Sequence, residues 1–158
     1  MDDPNFEITS AEPADASRLS DIAFAAKAYW PYPAEWLEIW RPQLTITTDD
    51  VANGIIRKLA ADGEVRGFYM LREDGVKLWL EHLWVEPQAI GRGFGRKLFE
   101  HAVTTAQSLD HSEMLIESDP NAEGFYAAMG ASRIGEDKTK MGREVRTLPV
   151  MEFKLKGN

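Results

Sequence analysis

The chain has 158 residues, a formal net charge of −8 and no cysteine. This length predicts a single domain over residues 1–158, and a hydrophobic content of 44% is enough to bury a core, which excludes general disorder. The missing cysteines exclude disulfides, iron–sulfur clusters, thiolate zinc sites and a cysteine nucleophile, and we expect no metal site. The acidic balance argues against a nucleic-acid partner, because such proteins carry a basic face.

The N-terminal third carries almost all of the negative charge. Residues 1–50 hold ten acidic and three basic side chains, a net of −7, whereas residues 51–158 have a net of −1. No stretch approaches the roughly 18 apolar residues of a membrane helix, and Met1-Asp2-Asp3-Pro4 lacks a positive-then-apolar signal. We therefore expect a cytoplasmic protein without a membrane partner. Its acidic third is either a solvated face or a surface that attracts a cationic ligand.

The predicted elements follow an α+β order. Asp-Gly pairs at 62–63 and 74–75 separate three apolar runs, which predicts an antiparallel meander in the middle of the chain. In chain order we expect a strand at 6–9, helices at 13–27 and 34–40, a helical turn at 48–53, strands at 55–61, 64–72 and 77–86, a helix from the following glycine-rich turn to about 109, a strand at 114–117, a helix at 121–130, and strands at 133–139 and 151–155.

The glycine-rich turn, Gly91-Arg92-Gly93-Phe94-Gly95, joins the last meander strand to the long helix. Free N–H groups in the first helical turn favour a phosphate, and glycines let the backbone come close to it. Arg92, Arg96 and Lys97 add positive charge. A P-loop would need Gly-Lys-Ser/Thr here, and a dinucleotide fingerprint a third glycine at position 96. The turn predicts an anion site of neither type, although a plain tight connection would also explain it.

Three segments at a coherent spacing carry a family resemblance, namely Leu80–Pro87, Gly91–Gly95 and Asn121–Gly130. Together they resemble the GCN5-related N-acetyltransferase (GNAT) superfamily. The order of elements agrees over residues 6–155, and the motifs agree over about 78–131. The family's glycine motif reads Gln/Arg-x-x-Gly-x-Gly/Ala; Gly93 and Gly95 match its glycines, whereas Ile90 stands at its first position.

The resemblance implies a GNAT-like acyl-CoA N-acyltransferase fold. Its twisted, mostly antiparallel sheet is flanked by helices and splays between the fourth and fifth strands, and acetyl-CoA lies in that gap as the co-substrate. The pantetheine amides would pair with the splayed fourth strand, and the pyrophosphate would bind the amides of the turn. The implied cofactor-binding residues are Leu83, Trp84, Val85, Gly91, Arg92, Gly93, Phe94, Gly95, Arg96 and Asn121.

The same resemblance implies transfer of an acetyl group to a primary amine of a small molecule or peptide by direct attack. Tyr126 matches the family's general-acid tyrosine, although it could equally pack the helix beside Phe125. Glu81 is our preferred general base, and His82, a base elsewhere or bulk water are the alternatives. Glu81 and His82 are adjacent on a strand and therefore point to opposite faces of the sheet.

Five aromatic residues crowd positions 29–40, where the first two helices of the resembling family wall the acceptor pocket. Tyr29, Trp30 and Tyr32 are the implied pocket residues, and they could hold an apolar acceptor, or a cationic one by cation–π contact. Trp36 and Trp40 are four residues apart, which also fits packing of the small helix onto the sheet.

Two further readings remain open at the level of sequence. Arg143 and Arg146, in the connection between the last two strands, are either surface charges or ligands for an acceptor carboxylate. These strands form dimer interfaces in many relatives, so the resemblance allows a homodimer. The alternative function is an acetyl-CoA-binding sensor that keeps the fold without turnover, which the departure at Ile90 favours.

Overall fold

The computed structural model describes residues 5–155, so the acidic start Met1-Asp2-Asp3-Pro4 lies outside the described part of the chain. Within residues 5–155, no helix is long and apolar enough to cross a membrane. The elements in chain order are β1 (Glu7–Ser10), α1 (Ala16–Ala28), α2 (Ala34–Leu44), α3 (Thr48–Asn53), β2 (Ile55–Ala61), β3 (Glu64–Asp74), β4 (Lys77–Val85), α4 (Phe94–Ser108), β5 (Glu113–Glu117), α5 (Glu123–Ala128), β6 (Ser132–Met141) and β7 (Glu144–Lys154).

A seven-stranded mixed sheet has the order β1-β2-β3-β4-β5-β7-β6. β1 pairs antiparallel with β2, and β7 pairs antiparallel with both β5 and β6. β4 and β5 run parallel, in register at Trp79 and Leu115. The predicted α+β fold is therefore confirmed, and the parallel pairing of the fourth and fifth strands agrees with the expected splay.

The chain divides into two compact units. The first comprises residues up to Met70 together with His82–His101, and it contains the first three helices and the glycine-rich turn. The second comprises Leu71–Glu81 together with residues from Ala102 onward, and it contains β5, α5, β6 and β7.

The first two helices differ in detail from the prediction. The inward face of α1 holds Lys27 as well as four apolar side chains, Ala16, Leu19, Ile22 and Ala23. α2 was expected to close at Pro42, yet it continues to Leu44. The extra turn buries Leu44, which offsets the hydrogen bond that a proline cannot donate. The cap of α3 is Thr47, one residue before the predicted segment, because its side chain accepts from Asp50 N.

α4 buries the predicted stripe of side chains, Phe94, Leu98, Phe99, Ala102 and Ala106. In the first unit this helix packs very close to the sheet at Gly67 of β3. A Cβ on Gly67 would lie 2.7 Å from the Trp84 carbonyl oxygen and 3.0 Å from Leu98 Cδ1. A glycine is therefore required at this point of β3, and the close packing fixes the start of α4, where the glycine-rich turn ends.

Candidate active site

The glycine-rich turn has the conformation that a phosphate cradle needs. Gly91 and Gly93 have φ values of 91° and 83°, which lie in the left-handed region that side chains disfavour. Lys97 N donates to Gly93 O at 3.2 Å and closes the first turn of α4. The earlier N–H groups of that turn have no partner within the helix, so they are available to an anion. The predicted glycine turn at a helix start is confirmed.

The positive charge of the turn is partly neutralised within the first unit. Arg92 Nη1 lies 2.8 Å from Asp62 Oδ2, and its guanidinium lies 4.6 Å from the centre of the Phe94 ring. Lys97 Nζ pairs with Glu100 Oε1 at 3.8 Å. Arg96 is exposed on the first turn of α4. Of the predicted phosphate ligands, Arg92 is therefore held by an internal carboxylate, whereas Arg96 faces solvent.

A buried carboxylate anchors the segment between β4 and the turn. Glu86 is 5% exposed, and its two oxygens each lie 2.6 Å from a guanidinium nitrogen, one of Arg18 and one of Arg66. Burial alone would raise the pKa of Glu86, but the hydrogen bonds from Arg66 and Arg18 outweigh it and hold the pKa below its usual range. Because Glu86 N also donates to Arg66 O, the approach to the glycine turn is fixed by both backbone and side chain.

The predicted residues of β4 fall into two groups. Glu81 is exposed and forms a 2.9 Å ion pair with Arg72 Nε in the second unit. In the first unit, His82 Nδ1 accepts a 2.9 Å hydrogen bond from Trp84 Nε1. Leu83, Trp84 and Val85 are half-buried. His82, the alternative base, therefore already uses its Nδ1 as a hydrogen-bond acceptor.

A carboxyl pair that the sequence did not indicate lies in the second unit. Glu117, at the end of β5, pairs with Val150 of β7, and Asp137 of β6 pairs with Leu148 of β7. The two acids therefore flank β7 close to each other. A hydrogen bond to Asp137, burial, and the negative charges of Asp137 and Glu81 raise the pKa of Glu117 to about 7.

This pair has the protonation behaviour of a general base, because such a group works best with a pKa near the operating pH. The sequence carried only a weak signal for it. Glu117 is the first acidic residue after a buried apolar run, which is a local signal. Asp137 comes close to Glu117 only through the register of the paired strands, which no local pattern shows. Among the described residues no group of three or more His, Asp or Glu side chains is placed to hold a metal ion.

Tyr126 lies on α5 in the second unit and is 7% exposed. Its ring packs edge-to-face on Phe125, with centroids 5.2 Å apart. Burial, together with the negative charge of Asp119, raises the pKa of Tyr126 above its usual range. The phenol therefore stays protonated at neutral pH and can act as a hydrogen-bond donor.

Asn121 lies in a short 3-10 turn before the helix that carries Tyr126, which begins at Glu123 and not at the predicted position 121. Asp119 caps this turn, because its Oδ1 accepts from Asn121 N at 2.8 Å. Pro120 fits the first position of the turn, where a missing N–H costs nothing.

The aromatic residues of the first unit separate into an inner cluster and an exposed edge. Tyr32, Trp36 and Trp40 pack on one another, and Lys27 Nζ lies 4.2 Å from the Trp40 centroid and 5.2 Å from the Tyr32 centroid. Tyr32 therefore contacts a cation of the chain itself. Tyr29 and Trp30 are 55% and 39% exposed.

Comparison with known proteins assigns the chain to a family. The sequence profile of the Acetyltransferase (GNAT) family matches residues 18–131. This range contains the glycine-rich turn and parts of both units. Because the match covers more than half of the chain, the chain belongs to this family. Within the curated proteins, it is 32% identical over 85 residues to the "5-NmdU N-acetyltransferase" of Pseudomonas phage PaMx11, covering 52% of this chain and 61% of that protein. The chain spans about three-fifths of the length of the curated relatives it matches.

Solved structures share the fold. A GCN5-related N-acetyltransferase from Rhodopseudomonas palustris superposes with a TM-score of 0.81 at 20% identity, covering 98% of this chain and 99% of that one. The PaiA N-acetyltransferase of Thermoplasma acidophilum, solved in complex with coenzyme A, has a TM-score of 0.72 at 17% identity and covers 95% of this chain and 99% of its own. These likenesses confirm the GNAT fold that the motifs indicated.

Proposed function

We propose that the chain is an acetyl-CoA-dependent N-acetyltransferase that modifies a primary amine of a small molecule or peptide. The observation that carries this proposal is the glycine turn, with Gly91 and Gly93 at positive φ and the start of α4 directly after them. The fit to a pyrophosphate is good, because the turn presents backbone N–H groups without side chains in the way. Acetyl-CoA, when bound, supplies the acetyl thioester.

The chain's own groups for cofactor binding lie in the first unit. The amides from Gly91 to Arg96 hold the pyrophosphate, and the exposed Arg96 adds a positive charge. The backbone of β4 over Leu83–Val85 meets the pantetheine arm, as the family resemblance implies. Asn121 is a further cofactor contact that rests on the family resemblance alone.

The groups that move protons lie in the second unit. An amine acceptor with a pKa of about 10.4 must lose a proton before it can attack. Glu117, supported by Asp137, is the best proton acceptor of that unit, since its pKa of about 7 leaves it largely ionised at pH 8. In this scheme Glu81, our preferred base from the sequence, acts through its charge on Glu117. Tyr126, buried and protonated, donates a hydrogen bond to the leaving sulfur and acts as the general acid.

The acceptor binds beside Tyr29 and Trp30, which are exposed, rather than inside the inner aromatic cluster that Lys27 already fills. The net charge of −7 in residues 1–50 favours a cationic acceptor. We also place the protein in the cytoplasm and consider a homodimer through its last two strands part of this proposal.

An acetyl-CoA sensor is the second candidate. Two observations favour it: Ile90, which is 54% exposed, replaces the polar first position of the family's glycine motif, and Arg92 is held by Asp62. A sensor needs the turn but does not need Glu117 or Tyr126.

The experiment is a thiol-release assay with acetyl-CoA across polyamines, aromatic amines and N-terminal peptides, with acetylated products verified by mass spectrometry. We expect turnover of at least one cationic amine, loss of turnover in Tyr126→Phe, and a raised acceptor KM in Trp30→Ala with an unchanged KM for acetyl-CoA. Binding of acetyl-CoA by calorimetry without thiol release across the panel would favour the sensor. Absence of both binding and turnover would refute both candidates.

A further inference from the structure

A buried ion pair joins β7 to the segment that leads into α5. Arg146 Nη2 lies 3.5 Å from Asp119 Oδ2, and the two side chains are only 9% and 12% exposed. Arg146 stands opposite Thr139 in the β6–β7 hairpin. Surface ion pairs contribute little to stability, whereas loss of one partner of a buried pair leaves an uncompensated charge. Because both side chains are largely shielded from solvent, their positions are well defined, and removal of either partner is expected to have a large effect on the other.

The two oxygens of Asp119 have separate tasks. Oδ1 accepts from Asn121 N at 2.8 Å and so caps the turn before α5, while Oδ2 faces Arg146. α5 carries Tyr126 three residues after its first residue, Glu123. The charge of Asp119 also acts on the phenol, where it adds to burial in raising the pKa of Tyr126. Asp119 thus caps the turn that leads into α5 and contributes to the electrostatic field at the tyrosine.

We propose that Arg146 is a positioning residue for Tyr126: it holds Asp119 in place and offsets the charge of that carboxylate, and thereby fixes the placement of the segment that leads to the phenol. This inference rests on the proposed function, in which Tyr126 is the proton donor. It replaces the alternative from the sequence that Arg146 binds an acceptor carboxylate, because the guanidinium is buried against a carboxylate of its own chain. Without Arg146, the unbalanced charge of Asp119 makes the phenol a weaker acid.

The chain offers a matched control for this pair. Arg133 of β6 pairs with Glu123 of α5, also at 3.5 Å, but the side chains are 44% and 33% exposed. Both pairs therefore connect the β6–β7 hairpin to the region of α5, and they differ in burial and in their relation to Tyr126. Arg133→Met tests the loss of a connecting ion pair, whereas Arg146→Met also tests the loss of a charge that acts on the phenol.

The kinetic test measures kcat and KM for Arg146→Met, Arg146→Lys and Arg133→Met. We expect Arg146→Met to lower kcat about tenfold with less than a twofold change in KM for acetyl-CoA, Arg146→Lys to recover most of the loss, and Arg133→Met to stay within twofold of the wild type. In a Tyr126→Phe background, Arg146→Met should cause no further loss. Asp119→Asn keeps an oxygen for the cap, removes the charge, and should rescue Arg146→Met. A full additional loss in the Tyr126→Phe background, or failure of the rescue, would overturn the proposal.

A second readout works without activity. The chain has four tyrosines, so NMR of protein labelled with ¹³C at the tyrosine Cζ resolves each phenol, and Tyr126→Phe assigns the signal. We expect Arg146→Met, and the charge-conserving Arg146→Lys to a smaller extent, to shift the Tyr126 signal in ligand-free protein, while Arg133→Met leaves it unchanged. An unmoved Tyr126 signal in both Arg146 variants would refute the positioning role. If the signal moves and the protein turns over no amine, the proposed function fails while the positioning role stands.

Discussion

The glycine turn at 91–95 and the carboxyl pair Glu117–Asp137 show two different ways in which a chain builds a functional feature. The turn is made by consecutive residues, and its positive φ angles at Gly91 and Gly93 follow from local backbone chemistry. The carboxyl pair is made by residues 20 positions apart in sequence, brought together because β5 and β6 both pair with β7. In the proposed function, binding of the cofactor is therefore encoded locally, whereas proton transfer depends on the register of three strands.

The largest expected effect concerns the carboxyl pair. Glu117→Gln should lower kcat/KM about 1000-fold at pH 8, because removal of a general base typically costs two to four orders of magnitude. The wild type should lose kcat/KM as the pH falls through about 7, where Glu117 becomes protonated, and the variant should lack this limb. The pH profile of kcat/KM checks both points.

Two controls separate the candidate bases. Glu113→Gln changes another acid of β5, and it should leave the rate within twofold of the wild type. Glu81→Gln removes a charge that helps to raise the pKa of Glu117, so it should move the acidic limb to lower pH without abolishing activity. If Glu81→Gln is the inactive variant and Glu117→Gln is not, the carboxyl pair is not the base.

The next effect concerns the proton donor. Tyr126→Phe removes only the hydroxyl and should lower kcat about 100-fold, within the range for loss of a general acid. The dissociation constant for acetyl-CoA, measured by calorimetry, should change less than twofold. A variant with wild-type turnover would leave Tyr126 as a packing residue of α5.

A smaller effect tests the turn. Gly93→Ala places a side chain at a φ of 83°, which costs roughly 1–2 kcal/mol and should raise the KM for acetyl-CoA about tenfold. Gly75→Ala carries a similar strain, at a φ of 61°, in the β3–β4 turn with no atom near its Cβ. It should lower the melting temperature but leave this KM unchanged. Equal KM values for acetyl-CoA in the two variants would show that the glycine turn does not take part in cofactor binding.

The smallest effect is on stability. The folded pKa of Glu117, about 7, lies above its ordinary value of 4.5, so the folded state holds a proton that the unfolded state releases. Its contribution to stability is complete below pH 4.5 and is lost as the pH rises through about 7. Although burial contributes to the raised pKa, solvent still reaches much of the Glu117 side chain, so we discount this to about 1 kcal/mol, or roughly 2–4 °C. Glu117→Gln should therefore melt higher than the wild type at pH 8 and equally at pH 4; equal melting temperatures at both would contradict the raised pKa.

Sequence reasoning located the elements whose signals are local. The Asp-Gly turns predicted the meander, and the spacing of Phe94, Leu98 and Ala102 predicted the buried face of α4, because side-chain period and turn chemistry act over a few residues. His101 of α4 was not singled out from the sequence, yet its Nδ1 lies 2.7 Å from the hydroxyl of the fully buried Tyr69. No local pattern of a helix reveals a partner on a strand 32 residues earlier.

The sequence also did not predict that the side chain of Lys27 packs inward, because a lysine within a helix usually points to solvent. Its burial depends on Trp40 and Tyr32, which a separate segment supplies. The helix predicted at 121–130 begins only at Glu123, after a separate 3-10 turn that Asp119 caps. Several residues near a helix start can accept from the backbone, and only the path of the chain selects one.

The cation held by Trp40 and Tyr32 has a consequence for ligand competition. The ammonium of Lys27 belongs to the chain itself and lies 4.2 Å from the centre of the Trp40 ring. It therefore acts as an intramolecular competitor for any cation that would bind this cluster. A short tether gives an effective local concentration on the order of millimolar or higher. A free amine at micromolar concentration is therefore not expected to displace Lys27, which agrees with the proposal that a cationic acceptor binds beside the exposed Tyr29 and Trp30 instead.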